Sequence, residues 1–336
     1  MAASPQPTVD VVVCTRNRSH LLAPACEALL DQDYPPDLWR LILIDSASTD
    51  DTPAVGRALA ERFPGRVLVH REDEPGHSAA RNAGIARSTA DVVAFTDDDA
   101  LADRAWLRTL VATLDREKAD AAGGPVDALI HGELPPWFLP FYLLFLAIWR
   151  PAEETRRLTY SEYPRGVNLA FRREVFARCG LFDRRLGLRG DRQLYGEEIE
   201  LCLRIERAGG LVCYSPASVV RHRVDAARLT ETWLRRRFAA QGRSEAIVNC
   251  RHAGWRGVLR GARAYLRRRT PIAPQAISAW GGGPVDPTAT IEAARIFTGC
   301  LRAALAGYMR QAPLAMLTVP RYRPPRGRPI QAWTPP

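Results

Sequence analysis

DVVAFTDDD, Asp91 to Asp99, is a four-residue apolar strand core that runs into three consecutive acids. Val92, Val93, Ala94 and Phe95 suit a strand buried on both faces of a parallel sheet. Three clustered carboxylates repel one another unless a cation or a donor sits among them. A solvated turn or a helix cap would explain an isolated Asp triplet equally well, so the surroundings must decide. Toward the N-terminus the strand signal recurs three times, in RVLVH (Arg66–His70), LILID (Leu41–Asp45) and VDVVVC (Val9–Cys14). Helical stretches fall between them, at about 19–32, 50–62 and 78–87, and Tyr34-Pro35-Pro36 stops the first. This β-α-β-α-β-α-β order predicts a doubly wound α/β sheet with right-handed crossovers. Ligands of such sheets sit outside the carboxyl ends of the strands. Thr15-Arg16-Asn17-Arg18, Asp45 and Asp97-Asp98-Asp99 all fall there, so three strands aim polar ends at one crevice.

The other direction reads differently. Pro135–Trp149 is strongly apolar and gives way to a charged loop. NLAFRREVF (Asn168–Phe176) reads as a strand turning into a helix. GEEIELCLRIERAGG (Gly196–Gly210) reads as a helix with acids at its positive N-terminal end and a closing Gly pair. Short strands are expected at Leu211–Pro216 and Ser218–His222, and an Arg-studded helix at Arg228–Val248. Pro271–Pro287 reads as a connector, Ala289–Arg310 as a helix, and Pro320–Pro336 as a Pro/Arg tail.

Composition bounds the function. The 336 residues are 46% apolar and 25% charged, which excludes wholesale disorder and allows a sizeable core. The longest apolar run, Trp137 to Trp149, contains Pro140 and falls short of the roughly 18 residues of a membrane-spanning helix. MAASPQPT has neither a basic nor an apolar leader region, and the seven cysteines form no CxxC pair. Reduced thiols and a cytoplasmic location are therefore expected. The net charge of +10 is unevenly placed, because residues 221–336 carry 21 Arg against 5 acids and the remainder is net acidic. Lys118 is the only lysine. A basic tail can attract nucleic acid or anionic lipid. Nucleic-acid binding is disfavoured, since few aromatics accompany the tail's Arg clusters and the acidic front repels phosphate.

Neither GxxxxGK[ST] nor GxGxxG occurs, so P-loop and dinucleotide readings lack their phosphate cradle. A hard cation such as Mg²⁺ or Mn²⁺, held by one or two carboxylates plus phosphate oxygens, suits the Asp triplet and a nucleoside diphosphate.

VVVCTRNR, QDYPP, IDSASTDDT, HSAARNAGIA, FTDDD, GVNLAFRREVF with GLFD behind it, GEEIELCLR and YSPASVVRH occur in that order. Together they resemble family 2 of the nucleotide-sugar-dependent glycosyltransferases, over about residues 8–250. The resemblance implies the GT-A fold, a Rossmann-like doubly wound mixed sheet, with a mainly helical C-terminal extension. It implies a catalytic unit at 1–224, with a nucleotide-binding half at about 8–100 and an acceptor half at 101–224. An Arg-rich helical extension would follow at 225–270, and a connector, helix and tail at 271–336. Activity would be metal-dependent, inverting transfer of one sugar from a nucleotide-sugar such as a UDP-sugar to a hydroxyl acceptor. Single transfer is favoured over polymer synthesis, because transmembrane helices and a QxxRW-like motif are both missing.

On matching positions, Thr15 and Arg18 receive the nucleoside, Asp45 bonds the base, and Arg81 contacts base or phosphate. Asp97 and Asp99 form the DxD pair that binds Mn²⁺ or Mg²⁺, and Asp98 can face the ribose. His222 stands where a third metal ligand is supplied. Glu198 is assigned as the catalytic base and Glu197 as its orienter, although many members carry Asp at the second position. Arg71, Asp73 and Glu74 read as loop charges. The aromatics Trp137, Phe138, Phe141, Tyr142 and Trp149 could be core, a sugar platform, a lid or a membrane-facing surface. With Arg235–Arg237 and Arg267–Arg269 they suggest peripheral association with anionic lipid at the inner membrane face. Two further enzyme readings keep the fold. One is a retaining transferase. The other is a sugar nucleotidyltransferase, whose Gly-rich opening loop is absent from Cys14–Arg18.

Overall fold

The computed structural model describes residues 6–160, 162–190, 192–267 and 287–322. Strands β1 (Val9–Thr15), β2 (Trp39–Asp45), β3 (Val67–Arg71) and β4 (Val92–Asp97) lie parallel in the order β3-β2-β1-β4. Helices α1 (Ser19–Leu30), α2 (Thr52–Arg62) and α3 (His77–Arg87) cross between them. The register sets Thr15 beside Asp45 and Cys14 beside Asp97, so the polar strand ends are level. Val11, Val12, Val13, Ile42 and Leu43 are fully buried, which is why these strands read as continuous apolar runs.

The remaining chain extends the sheet and adds a second one. After β5 (Ala100–Ala102) come α4 (Trp106–Arg116), β6 (Ala121–Gly123), β7 (Val126–His131) and β8 (Arg156–Leu158). They are followed by β9 (Leu169–Arg172), α5 (Glu174–Cys179), α6 (Glu197–Arg207), β10 (Val212–Tyr214) and β11 (Val220–Asp225). The large sheet runs β3-β2-β1-β4-β9-β6-β10-β8, with β9 antiparallel to both neighbours. The small sheet is β5-β11-β7. The expected strand Asp91–Asp99 therefore ends at Asp97. Asp98 and Asp99 form the corner where the chain leaves one sheet for the other, because β5 pairs with β11.

Helix α7 (Glu231–Arg267) is longer than the expected 228–248 and doubles back. Gly254, at φ 60° and ψ −152°, breaks it into two arms, a conformation that favours glycine. The arms lie antiparallel, since Tyr265 on the second donates to Glu245 on the first at 2.7 Å. Helix α8 (Pro287–Thr318) runs beyond the expected Arg310 and includes Pro313. Gly242 and Gly307 let α7 and α8 touch: a Cβ on either would overlap the carbonyl oxygen of Ala304 or Ala239. The connector at 271–286 and the tail from 323 lie outside the described residues. No helix among the described residues is long and apolar enough to cross a membrane.

The apolar segment becomes a 3₁₀ turn at Pro140–Leu146. Phe138, Tyr142 and Trp149 are buried, and Phe145 stacks on Phe238 of α7 at 4.0 Å between ring centres. Core packing thus accounts for most of these aromatics, and it joins the extension to the sheets. A buried ionic cluster makes a second join. Glu200 on α6 accepts from Arg204 Nε at 2.9 Å, and from Arg251 Nε at 2.6 Å and His252 Nε2 at 3.0 Å on α7. All seven cysteines are free thiols.

Candidate active site

A cleft of about 650 Å³ opens at the level strand ends. Thr15, Arg18, Arg81, Asp97, Asp98, Asp99, Glu197, Glu198 and His222 all line it. Of the residues expected from sequence, Asp45 alone does not, although its neighbour Ser46 does. Asp45 is buried, accepting from Ser48 N at 3.0 Å and from Arg71 Nη1 at 3.2 Å. Arg71, read as a loop charge, is thus a partner of Asp45, and it also donates to Asp73 at 2.8 Å.

The three aspartates differ in surroundings. Asp97, the most open, accepts from Arg81 Nη2 at 3.3 Å. Burial pushes Asp98 up to about 6 against the pull of Arg18, with Asp99 adding to the rise. Asp99 is buried too, but His222, Arg228 and Arg18 outweigh that burial and hold its carboxyl well below the usual range. Its Oδ2 accepts from Arg18 at 2.8 Å and Arg228 at 3.2 Å. Its Oδ1 is buried with no hydrogen-bond partner among the described residues and lies 3.3 Å from His222 Nε2. The other ring nitrogen, Nδ1, donates to the Leu146 carbonyl at 2.9 Å, which turns Nε2 toward Asp99. The β5–β11 ladder fixes this meeting, with Arg223 N donating to Asp99 O at 2.9 Å. No three or more His, Cys, Asp or Glu among the described residues gather as an ion site.

The two glutamates at the start of α6 also separate. Gly196, at φ 83°, turns the chain into the helix. Glu197 is buried, and its Oε1 accepts from Arg81 Nη1 at 3.0 Å and His77 Nδ1 at 3.1 Å. These partners overcome burial and hold it at about 2. Glu198 is half-buried and has no hydrogen bond or ion pair among the described residues. Burial and then the charge of Glu197 raise it, more than Arg81 offsets. Arg81 ties both halves together, and its third contact, the Gly166 carbonyl at 3.0 Å, needs glycine there because a Cβ would lie 2.6 Å from the guanidinium.

As site residues, sequence reasoning passed over His77, Arg165, Arg228, Trp233 and Gln241, which also line the cleft, and it placed at a lipid surface Arg237, which the structure buries in the cleft instead. Four of them follow residue 224, in the segment read as a basic extension. Arg237 sits 3.6 Å over the Tyr195 ring and donates to Phe145 O at 3.2 Å and Gln241 Oε1 at 3.0 Å. Burial lowers it to about 10, and no carboxylate pairs with it among the described residues. Arg165 is lowered likewise, and its guanidinium has no hydrogen-bond partner among the described residues, lying 5.7 Å from the Trp149 ring centre. Of the expected lipid-facing arginines, Arg235 pairs with Glu231 at 2.6 Å, while Arg268 and Arg269 lie outside the described residues.

A mixed sheet with an acid triplet at its corner, opposite a helix bearing two glutamates, is the GT-A architecture of glycosyltransferases. The chain is similar in fold to a mannosyltransferase, PcManGT from Pyrobaculum calidifontis, solved in complex with GDP-Man and Mn²⁺. The TM-score is 0.58 at 23% identity, covering 92% of this chain and 88% of that one. It is also similar to GalNAc-T7, solved with UDP, GalNAc and Mn²⁺, at a TM-score of 0.52 and 19% identity over 65% and 43% of the two chains.

The chain belongs to glycosyl transferase family 2, whose model matches residues 10–180, and it is a glycosyltransferase. It is 32% identical over 247 residues to the glucosyl-dolichyl phosphate glucuronosyltransferase of Haloferax volcanii, covering 72% of this chain and 77% of that protein. The succinoglycan biosynthesis protein ExoM of Rhizobium meliloti is 27% identical over 76% of this chain and 81% of its own.

Proposed function

We propose that this glycosyltransferase moves a single sugar from a UDP-sugar to a hydroxyl of a glycan, lipid-linked saccharide or natural product, with inversion at the anomeric carbon. The observation that carries the reading is the split between Glu197, locked by Arg81 and His77, and Glu198, unpaired among the described residues and raised. A general base must be free to reach its proton and basic enough to hold it. Glu198 takes the acceptor proton as the hydroxyl oxygen attacks C1, and the bond from C1 to the nucleoside diphosphate breaks on the opposite face. Thr15 and Arg18 receive the nucleoside, Asp45 braces the Ser46–Ser48 turn and Arg71 at the edge of that pocket, and Arg81 holds Glu197 and Asp97 in place.

A divalent cation fits the corner, because Asp99 Oδ1 is an orphaned buried acceptor facing a ring nitrogen. Asp99 and His222 would hold Mn²⁺ or Mg²⁺, with Asp97 on the open side, and the Mn²⁺ in both solved neighbours supports this. Such an ion supplies charge neutralisation for the leaving diphosphate. Arg165 and Arg237, cations without acid partners among the described residues, meet the negative charge of the substrates. A relative named for a dolichyl phosphate substrate supports a lipid-linked acceptor. Cytoplasmic work at the inner face of an anionic membrane is consistent with that.

Thermal shifts with UDP, GDP, CDP and ADP, with and without Mn²⁺, test the donor half. UDP with Mn²⁺ should raise the melting temperature most, and Asp99→Ala should remove the metal-dependent part. An equal response to every nucleotide would overturn the donor assignment.

A further inference from the structure

The second arm of α7, from residue 255 to 267, sorts its side chains onto three faces. Gly257, Val258, Gly261 and Tyr265 are buried against the first arm and α8. Trp255, Leu259 and Leu266 are exposed by 59%, 47% and 44%. At 100° per residue their spacings of four and seven place them within one stripe about 40° wide. Arg256, Arg260, Arg263 and Arg267 are all exposed and fall together on the adjoining flank. No Asp or Glu occurs between Glu245 and Asp286, so nothing acidic in the sequence of this stretch offsets them. The end of α8 comes to the same place, since Tyr322 N donates to Arg251 O at 2.8 Å. Its last turns expose Leu314, Met316 and Leu317, the last by 85%.

An exposed apolar stripe costs solubility when nothing covers it. Beside a row of guanidinium groups it has the make-up of a helix that lies in a bilayer interface, with Trp and Leu at the acyl boundary and Arg at the lipid phosphates. Single-stranded nucleic acid would instead ask for several aromatics in a groove, and this stripe carries one. We propose that the second arm of α7, helped by the end of α8, docks the enzyme on an anionic bilayer. The proposal rests on the peripheral-membrane part of the reading above and gives it a surface. That surface differs from the Trp137–Trp149 aromatics, which are mostly core.

The test is co-sedimentation of the full chain with vesicles of phosphatidylcholine alone or mixed with phosphatidylglycerol, at low and high salt. The chain should pellet with the anionic vesicles and release as salt rises. Trp255→Ser with Leu259→Ser should weaken this at least about tenfold, the loss expected from exposing two buried apolar side chains. Arg256→Ser, Arg260→Ser and Arg263→Ser together should remove the salt-sensitive part. Sugar transfer to a short water-soluble acceptor should be unchanged in every variant, which separates docking from catalysis. Equal binding to neutral vesicles, no binding, or variants that bind like the parent would overturn the proposal. So would a concentration-dependent dimer dissolved by Trp255→Ser, since the stripe would then belong to a second copy, or tighter binding of single-stranded RNA than of vesicles.

Discussion

Two neighbouring glutamates of the same chemistry differ only in what surrounds them. Glu197 is spent on His77 and Arg81, while Glu198 is left to act. Glu198→Gln should lower kcat by about 10²–10⁴-fold, the usual worth of a positioned base, and leave UDP binding intact. A matching loss in Glu197→Gln with Glu198→Gln fully active would reverse the assignment. The base works deprotonated, and burial with the charge of Glu197 raises it. The acid limb of the kcat profile should therefore lie above the ordinary glutamate value of 4.5, with activity rising toward higher pH. Glu197→Gln removes the neighbouring charge and should move that limb to lower pH in whatever activity survives.

Among helices and strands, legibility follows how local the cause is. The four parallel strands stand out because burial on both faces demands unbroken apolar runs. The corner at Asp98 and Asp99 does not, because it depends on β11, more than a hundred residues later. Strands as short as Ala121–Gly123 are too brief for any period to show. The reversal at Gly254 hides among glycines that merely allow close packing, and Pro313 inside α8 reads as a stop. Gly242 makes the α7–α8 contact testable. Gly242→Ala would overlap the Ala304 carbonyl and should cost about 1–3 kcal/mol, as overpacking does. Urea unfolding should show a lower midpoint at unchanged slope. An unchanged midpoint would mean the helices sit farther apart.

Across the molecule, the residues that read as a basic appendage close the cleft. Arg228, Trp233, Arg237 and Gln241 reach it from beyond residue 224, the expected end of the catalytic unit. Sequence exposed the carboxylates because they end strands. It could not show these cations, since a surplus of Arg reads as surface whether or not some of them turn inward. The same interface sets acid stability. Arg204, His252 and Arg251 overcome burial to hold Glu200 well below its usual range, and Glu197 is held at about 2. Groups so depressed stabilise the fold fully above 4.5 and lose that contribution as pH falls from there toward 2. Glu200→Gln should cost about 3–5 kcal/mol by stranding buried cations, and it should flatten the acid dependence measured by urea unfolding at stepped pH.

That cluster also limits where the chain can be shortened. A stop codon just after Asp225 would delete Arg251 and His252, leaving Glu200 with Arg204 alone, and would unroof Phe145 by removing Phe238. The shortest product that keeps both the Glu200 cluster and the cleft's far wall therefore ends no earlier than His252.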